Sequence, residues 1–155
     1  WILDLDGDGD NDIVVADCDQ QDSRIAWLEN DGARTPTFRL HMIADAAPNT
    51  RGSFHSLVVA DFDGDRDPDI LTVEQEDPKI LPEGVAPRWF LWVNLGGGRF
   101  REQVVLDERL GGHDVQLGDI DGDGDPDLAS KVWSRWPGNA NAGLAHVDWL
   151  ENLRR

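Results

Sequence analysis

Apolar residues along this chain come in short bursts, and no helical spacing persists over ten residues. The bursts SLVVAD (56–61) and DVQLGD (114–119) each run into an aspartate-rich stretch. Directly after such stretches come DIVVA (12–16), DILTVEQ (69–75) and DLASKVW (127–133). Tryptophan-containing segments follow at AWLEN (26–30), LWVNL (91–95) and DWLEN (148–152), and then FRLHMI (38–43) and FREQVVL (100–106). All are rich in Val, Ile, Leu, Phe and Trp, and Gly, Asp, Asn and Pro separate them. That is the signature of short strands. The pattern predicts an all-β chain.

The order of the segments repeats. The aspartate stretches begin at Asp4, Asp61 and Asp119, spaced 57 and 58 residues apart. Four strands in a period of this length match one blade of a β-propeller, a sheet of four antiparallel strands. Calling the strands a to d, residues 1–50 hold a stub of a (Trp1 to Leu3), then b, c and d; residues 51–108 hold all four; residues 109–155 hold a, b and c. The chain therefore carries slightly under three blades, whereas a closed ring takes about 4–8. It reads as a piece of a longer protein, or as a subunit whose copies complete one another.

Charge changes the picture locally. Of 31 acidic residues, fifteen lie in the three stretches, and the net charge is −17. Such a chain lacks the basic face that nucleic acid or an anionic membrane surface requires. No apolar run is long enough for membrane insertion. The single cysteine, Cys18, excludes an internal disulfide and reads as a small half-buried residue.

The third stretch runs Asp119, Ile120, Asp121, Gly122, Asp123, Gly124, Asp125, Pro126, Asp127. Numbered 1 to 9, carboxylates at positions 1, 3, 5 and 9 can turn inward around one centre, and the carbonyl of position 7 adds an oxygen. Six to eight hard oxygen ligands are what Ca²⁺ prefers. Gly at position 6 permits the tight turn. Without a cation the crowded carboxylates would repel one another. Three Ca²⁺ ions, one per stretch, would change −17 to −11. A helical EF-hand loop shares the 1-3-5 start but needs Glu at position 12, where this chain has Val15, Thr72 and Ser130. In the second stretch Arg66 stands at position 6. Its charge and its side chain in a turn that favours glycine make that site the weakest of the three.

The sequences DLDGDGDND, DFDGDRDPD and DIDGDGDPD resemble the calcium loops of FG-GAP or VCBS-type repeats. By that resemblance the fold is an integrin-α-like propeller and the cofactor Ca²⁺. The implied ligands are Asp4, Asp6, Asp8, Asp10 and Asp12, with Asp10 acting through its carbonyl. The same roles pass to Asp61, Asp63, Asp65, Asp67 and Asp69, and to Asp119, Asp121, Asp123, Asp125 and Asp127. A secreted, extracellular or periplasmic setting goes with abundant Ca²⁺. Activity does not follow from the fold.

Two further groups sit at the other ends of the strands. The b–c connections 76–88 and 134–145 are long, and the second offers Arg135, Trp136, Asn139 and Asn141, a mixture suited to a glycan or carboxylated ligand. His55 and His113 each lie six residues before the first aspartate of their stretch, at the start of strand a. Equivalent histidines on neighbouring blades would share one rim, as ligands of a transition metal or as an acid–base pair. His41 and His146 have no such counterparts and read as structural. No Ser–His–Asp spacing, phosphate-binding glycine loop or Cys/His zinc cluster is present. The expected function is an extracellular, calcium-stabilised binding or scaffold module for a protein or glycan partner. The competing readings are a carbohydrate lyase or dehydratase working at the His55/His113 rim, and a self-assembling structural protein.

Overall fold

The computed structural model describes residues 1–45 and 47–153, and these residues form strands, turns and loops with no helix. Blade 1 comprises β1 (Ile2–Leu3), β2 (Asp12–Ala16), β3 (Ile25–Asn30) and β4 (Phe38–Ala44). Blade 2 comprises β5 (Phe54–Ala60), β6 (Asp69–Glu74), β7 (Trp89–Asn94) and β8 (Phe100–Leu106). Blade 3 comprises β9 (His113–Gly118), β10 (Asp127–Lys131) and β11 (Val147–Leu150). Each blade is a separate antiparallel sheet with its strands in chain order, two of four strands and one of three. The all-β, partial-propeller expectation is met.

Strand alternation gives every blade two faces, and the blades stack face to face. The face of blade 1 that carries Val14, Ile25 and Trp27 packs against Phe54, Ile70, Phe90 and Trp92 of blade 2. The opposite face of blade 2, with Val58, Leu71, Val73 and Trp89, packs against Val115 and Leu128 of blade 3. Blade 2 is thus covered on both sides, and all six residues of β6 are buried. This accounts for the continuous apolar run in DILTV, which reads as a two-sided strand and not an alternating one. Each large side chain removed from water here contributes about 1.5–3 kcal/mol. Between blade 2 and the outer edge of blade 3 a cleft of about 490 Å³ opens, with Leu91 and Val105 on one side and Leu128 and Leu150 on the other.

Turn chemistry fixes the hairpins. The β7–β8 turn has three glycines in the left-handed region, Gly96 to Gly98, and closes with Leu95 N–H donating to the Arg99 carbonyl at 2.7 Å. Gly98 also lies flat against the Trp27 indole of blade 1, where a Cβ would come within 2.6 Å of the ring. Two reasons therefore exclude a side chain at Gly98. Cys18, expected to be half-buried, is exposed in the connection after β2.

A polar latch joins neighbouring blades. The side-chain amide of Asn94, at the end of β7, donates to the Leu5 carbonyl of blade 1 at 3.1 Å and to the Pro68 carbonyl of its own blade at 3.2 Å. Asn152 of blade 3 likewise donates to the Phe62 carbonyl of blade 2 at 3.2 Å. Asn30 of blade 1 donates instead to Asn11 of its own loop. Replacing Asn94 by Ala strands two carbonyls in a dry interface, which costs about 1–3 kcal/mol. Asn30→Ala, at a half-buried site whose side chain bonds only within its own blade, should cost well under half as much. Urea unfolding of the two variants checks this, and equal losses would show that the inter-blade latch contributes nothing.

Candidate functional site

The aspartate loops are built by their own backbone. In the first, Asp4 accepts from Gly7 N–H at 2.9 Å and Gly9 N–H at 3.0 Å; Asp6 accepts from Asp8 N–H, and Asp8 from Asp10 N–H. The second loop repeats the pattern, with Gly64 and Arg66 donating to Asp61, Asp65 to Asp63, and Asp67 to Asp65. So does the third, with Gly122 and Gly124 on Asp119, Asp123 on Asp121, and Asp125 on Asp123. An alternating run of short acceptors can wind the chain into a coil because each carboxylate captures the N–H two to five residues ahead.

The coil draws carboxylates together. Oxygens of Asp4, Asp6 and Asp8 lie within 4.8 Å of one another, as do those of Asp61, Asp63 and Asp69, and of Asp119, Asp121 and Asp127. The loops need left-handed backbone at two places. Glycine serves at the first in all three, and at the second Gly9 and Gly124 have φ of 98° and 94°. Arg66 occupies that second place in the middle loop with φ of 80°. For a residue with a Cβ this costs about 1–2 kcal/mol.

The last aspartate of each loop has a second role. Asp69 is fully buried and accepts from Phe62 N–H at 3.0 Å with one oxygen and from Asn94 N–H at 2.8 Å with the other. Asp12 holds Leu5 and Asn30 in the same way, and Asp127 holds Ile120 and Asn152. Each joins the start of its loop to the end of strand c. Burial under blade 3, with the Asp63 and Asp65 charges adding to it, pushes the Asp69 carboxyl up to about 6 against the pull of its two N–H donors. Asp127 is as inaccessible to solvent as Asp69 but has no blade packed over it, and its N–H donors from Asn152 and Ile120 hold it below the usual carboxylate range. Burial also raises Asp6, helped by the Asp8, Asp12 and Glu29 charges.

The histidines singled out by their spacing are brought together at the far ends of β5 and β9. The His55 and His113 rings stack with centroids 3.8 Å apart, and Trp133 lies 5.1 Å beyond His113. Asp19 approaches His55 Nε2 at 3.6 Å. Burial, and the neighbouring His55 after it, lower the His113 pKa. Its Nδ1 is buried without a partner among the described residues. In the 134–145 loop, Arg135 and Asn141 are exposed, and Trp136 is half-buried beneath the Arg109 guanidinium at 5.3 Å. Asn139 is buried and committed to the loop itself, donating to Glu76 and the Leu144 carbonyl and accepting from Gly143 N–H.

Several organising residues escape a reading of motifs. The asparagines that end AWLEN, LWVN and DWLEN are the partners of the ninth aspartate, and Asn94 and Asn152 are also the blade latches; their recurrence in register was the available signal. Glu74 is buried, accepts from Gly52 N–H at 2.7 Å, and pairs with Arg88. Glu76 accepts from Gly111 N–H, Asn139 and His146, and His146 also meets Asp148. His41 stacks on Trp27 and pairs with Glu29. Both lone histidines thus sit within the scaffold.

Environment alone separates the same carboxylate in two loops, which carbon-13 NMR titration in chelator should resolve. Asp69 should titrate near 6 and Asp127 below the ordinary value of about 3.9. The Asp69 value lies above its unfolded one, so its contribution favours folding below pH of about 4 and is lost as pH rises through about 6. Coincident midpoints for the two residues would refute this account of the loops.

The family model for the FG-GAP-like repeat matches residues 4–72 and 82–130, which take in all three aspartate loops. No curated protein and no solved structure matches the chain. Among the described residues, no helix is long and apolar enough to cross a membrane. The matched segments cover well over half of the sequence, and the chain therefore belongs to the FG-GAP-like repeat family.

Proposed function

We propose that each of the three repeats, 1–50, 51–108 and 109–155, binds one Ca²⁺ ion, and that the ions brace an extracellular binding or scaffold module. The observation that carries this is the convergence of carboxylate oxygens within 4.8 Å in all three loops. Such donors, with no nitrogen or sulfur among them, suit a hard cation of flexible coordination, and carbonyls such as that of position 7 and water complete the shell. Residues at positions 1, 3, 5 and 9 hold the ion, and position 9 ties it to the end of strand c. The cation offsets the mutual repulsion of the cluster and favours ionised Asp69. FG-GAP repeats are typical of extracellular proteins, where the cation is plentiful. The partner, a protein or a glycan, would meet the loops at the opposite rim, where Arg135 and Asn141 are exposed.

A second reading rests on the stacked imidazoles. A ring whose pKa burial lowers, stacked on one that faces a carboxylate, is an arrangement for proton transfer, as a carbohydrate lyase or dehydratase would need. Under this reading His55→Ala and His113→Ala abolish turnover of an acidic oligosaccharide and leave Ca²⁺ binding intact. Full activity in the double variant would end it.

For the principal reading, calorimetry should give three Ca²⁺ per chain, with the middle loop the weakest, and a melting temperature that rises in Ca²⁺ and falls in chelator. Arg66→Gly should stabilise the fold by about 1 kcal/mol through relief of backbone strain, and should tighten the middle site by removing a nearby positive charge. Absence of binding heat, with a melting temperature indifferent to chelator, would overturn the proposal. Three equal affinities would overturn the ranking.

A further inference from the structure

Of the four histidines, two are engaged by carboxylates. His41 pairs with Glu29, and His146 lies between Glu76 and Asp148. His55 and His113 differ. No hydrogen bond reaches either ring among the described residues, and the His113 Nδ1 is buried without a partner. A neutral imidazole has one nitrogen to donate and one to accept. Here that capacity goes unused in two rings stacked with centroids 3.8 Å apart. The Asp19 carboxylate stops 3.6 Å from His55 Nε2, too far for a hydrogen bond. It is close to the separation of two ligands on one ion. Atoms bound at about 2.0–2.2 Å to a tetrahedral Zn²⁺ lie about 3.4 Å from each other.

Irregular backbone brings these three side chains together, one from each blade. In β5 the residue left out of the ladder is His55 itself, since Phe54 faces Glu74 and Ser56 faces Val73. β9 carries its irregularity between His113, opposite Lys131, and Gln116, opposite Ala129, where Asp114 has a φ of 67°. A bulge re-aims the side chain where the ladder breaks. Beside it, Val115 N–H donates to Ser56 Oγ of blade 2 at 3.1 Å, which holds the two strands, and so the two rings, side by side. Asp19 has a φ of 58°, and its N–H donates to Ser53 Oγ at 2.7 Å. The Ser53 carbonyl in turn accepts from His55 N–H at 3.1 Å. One buried serine thus ties the carboxylate to the imidazole that it faces. These contacts lie where blade 1 meets blade 2 and blade 2 meets blade 3, so whatever covers the outer faces has no bearing on them.

We propose that His55, His113 and Asp19 bind one divalent transition ion of the Zn²⁺ class. Such ions take imidazole nitrogen readily, whereas the aspartate loops offer oxygen alone. His55 Nε2 and Asp19 already stand at the spacing of ligands. His113 joins them by a turn about its Cβ–Cγ bond, which breaks no hydrogen bond. Water completes the shell from the side where Asp19 is exposed. Burial, and the neighbouring His55 after it, lower the His113 pKa and favour the unprotonated ring that a metal needs. A nitrogen bound to metal has no lone pair left to accept a proton. The assignment therefore stands apart from the acid–base reading of the same two residues.

The test is calorimetry of Zn²⁺ added to the 155-residue chain in excess Ca²⁺, which keeps the added metal from the aspartate loops. One Zn²⁺ should bind per chain. His55→Ala and His113→Ala, checked for native β structure by circular dichroism, should each weaken binding by at least the about 10–100-fold that losing an outer-shell contact costs. His41→Ala should bind as the parent does. A second measurement needs no substitution. On addition of Zn²⁺ the ring C–H signals of His55 and His113 should shift in the proton NMR spectrum, while those of His41 and His146 stay in place. A chain that takes up no Zn²⁺ would overturn the proposal. So would uptake that survives the double substitution of His55 and His113, which is also the result expected if the aspartate loops alone hold the metal. A spectrum in which only His41 or His146 moves would equally end it.

Discussion

The fold turns on one carboxylate per blade. Asp12, Asp69 and Asp127 each accept two backbone N–H groups from segments far apart in the sheet, one at the start of the acidic loop and one at the end of strand c. A bond from an ionised carboxylate to an amide is roughly twice as strong as a neutral one. Here it fixes where the loop begins relative to the sheet. In blades 2 and 3 the asparagine that donates its backbone N–H is also the residue whose side chain crosses to the preceding blade. Loop shape, sheet edge and blade spacing are therefore set by the same few atoms.

Identical chemistry behaves differently along the stack because the blades are not equivalent in their surroundings. Asp69 and Asp127 have the same two kinds of partner, yet burial raises one and hydrogen bonding lowers the other. Blade 2 is flanked on both sides and is the hydrophobic centre of the molecule, with Trp89, Phe90 and Ile70 all buried. The blades on either side keep one apolar face each in solvent. A repeat protein of this sort has properties that belong to position in the array as much as to sequence.

Much of this was legible in the chain. Period and strand alternation announced the blades, and the hairpin glycines and the strained place of Arg66 followed from turn chemistry. The pairing of His55 with His113 followed from equal offsets within the repeat. Contacts that cross from one repeat to another through unremarkable residues were not legible. Nothing about Glu76 or His146 in isolation indicates that they meet 70 residues apart, and Asn139, placed by composition among ligand-binding candidates, is spoken for by Glu76 once the chain folds. The buried role of Asp12, Asp69 and Asp127 is hidden for a related reason, since a motif lists the five aspartates of a loop as equals and only the sheet distinguishes the one beneath it.

The two ends of the blade stack cohere by different means. At one end lie the acidic loops. At the other, Glu76 of the blade 2 connection grips Gly111, Asn139 and His146 of blade 3, with the His146 ring set between Glu76 and Asp148. A change that slackens the loops therefore leaves the opposite end pinned. The blades would splay like the ribs of a hand fan about that rivet, opening at the acidic rim while the rim that bears the histidines and long connections keeps its shape.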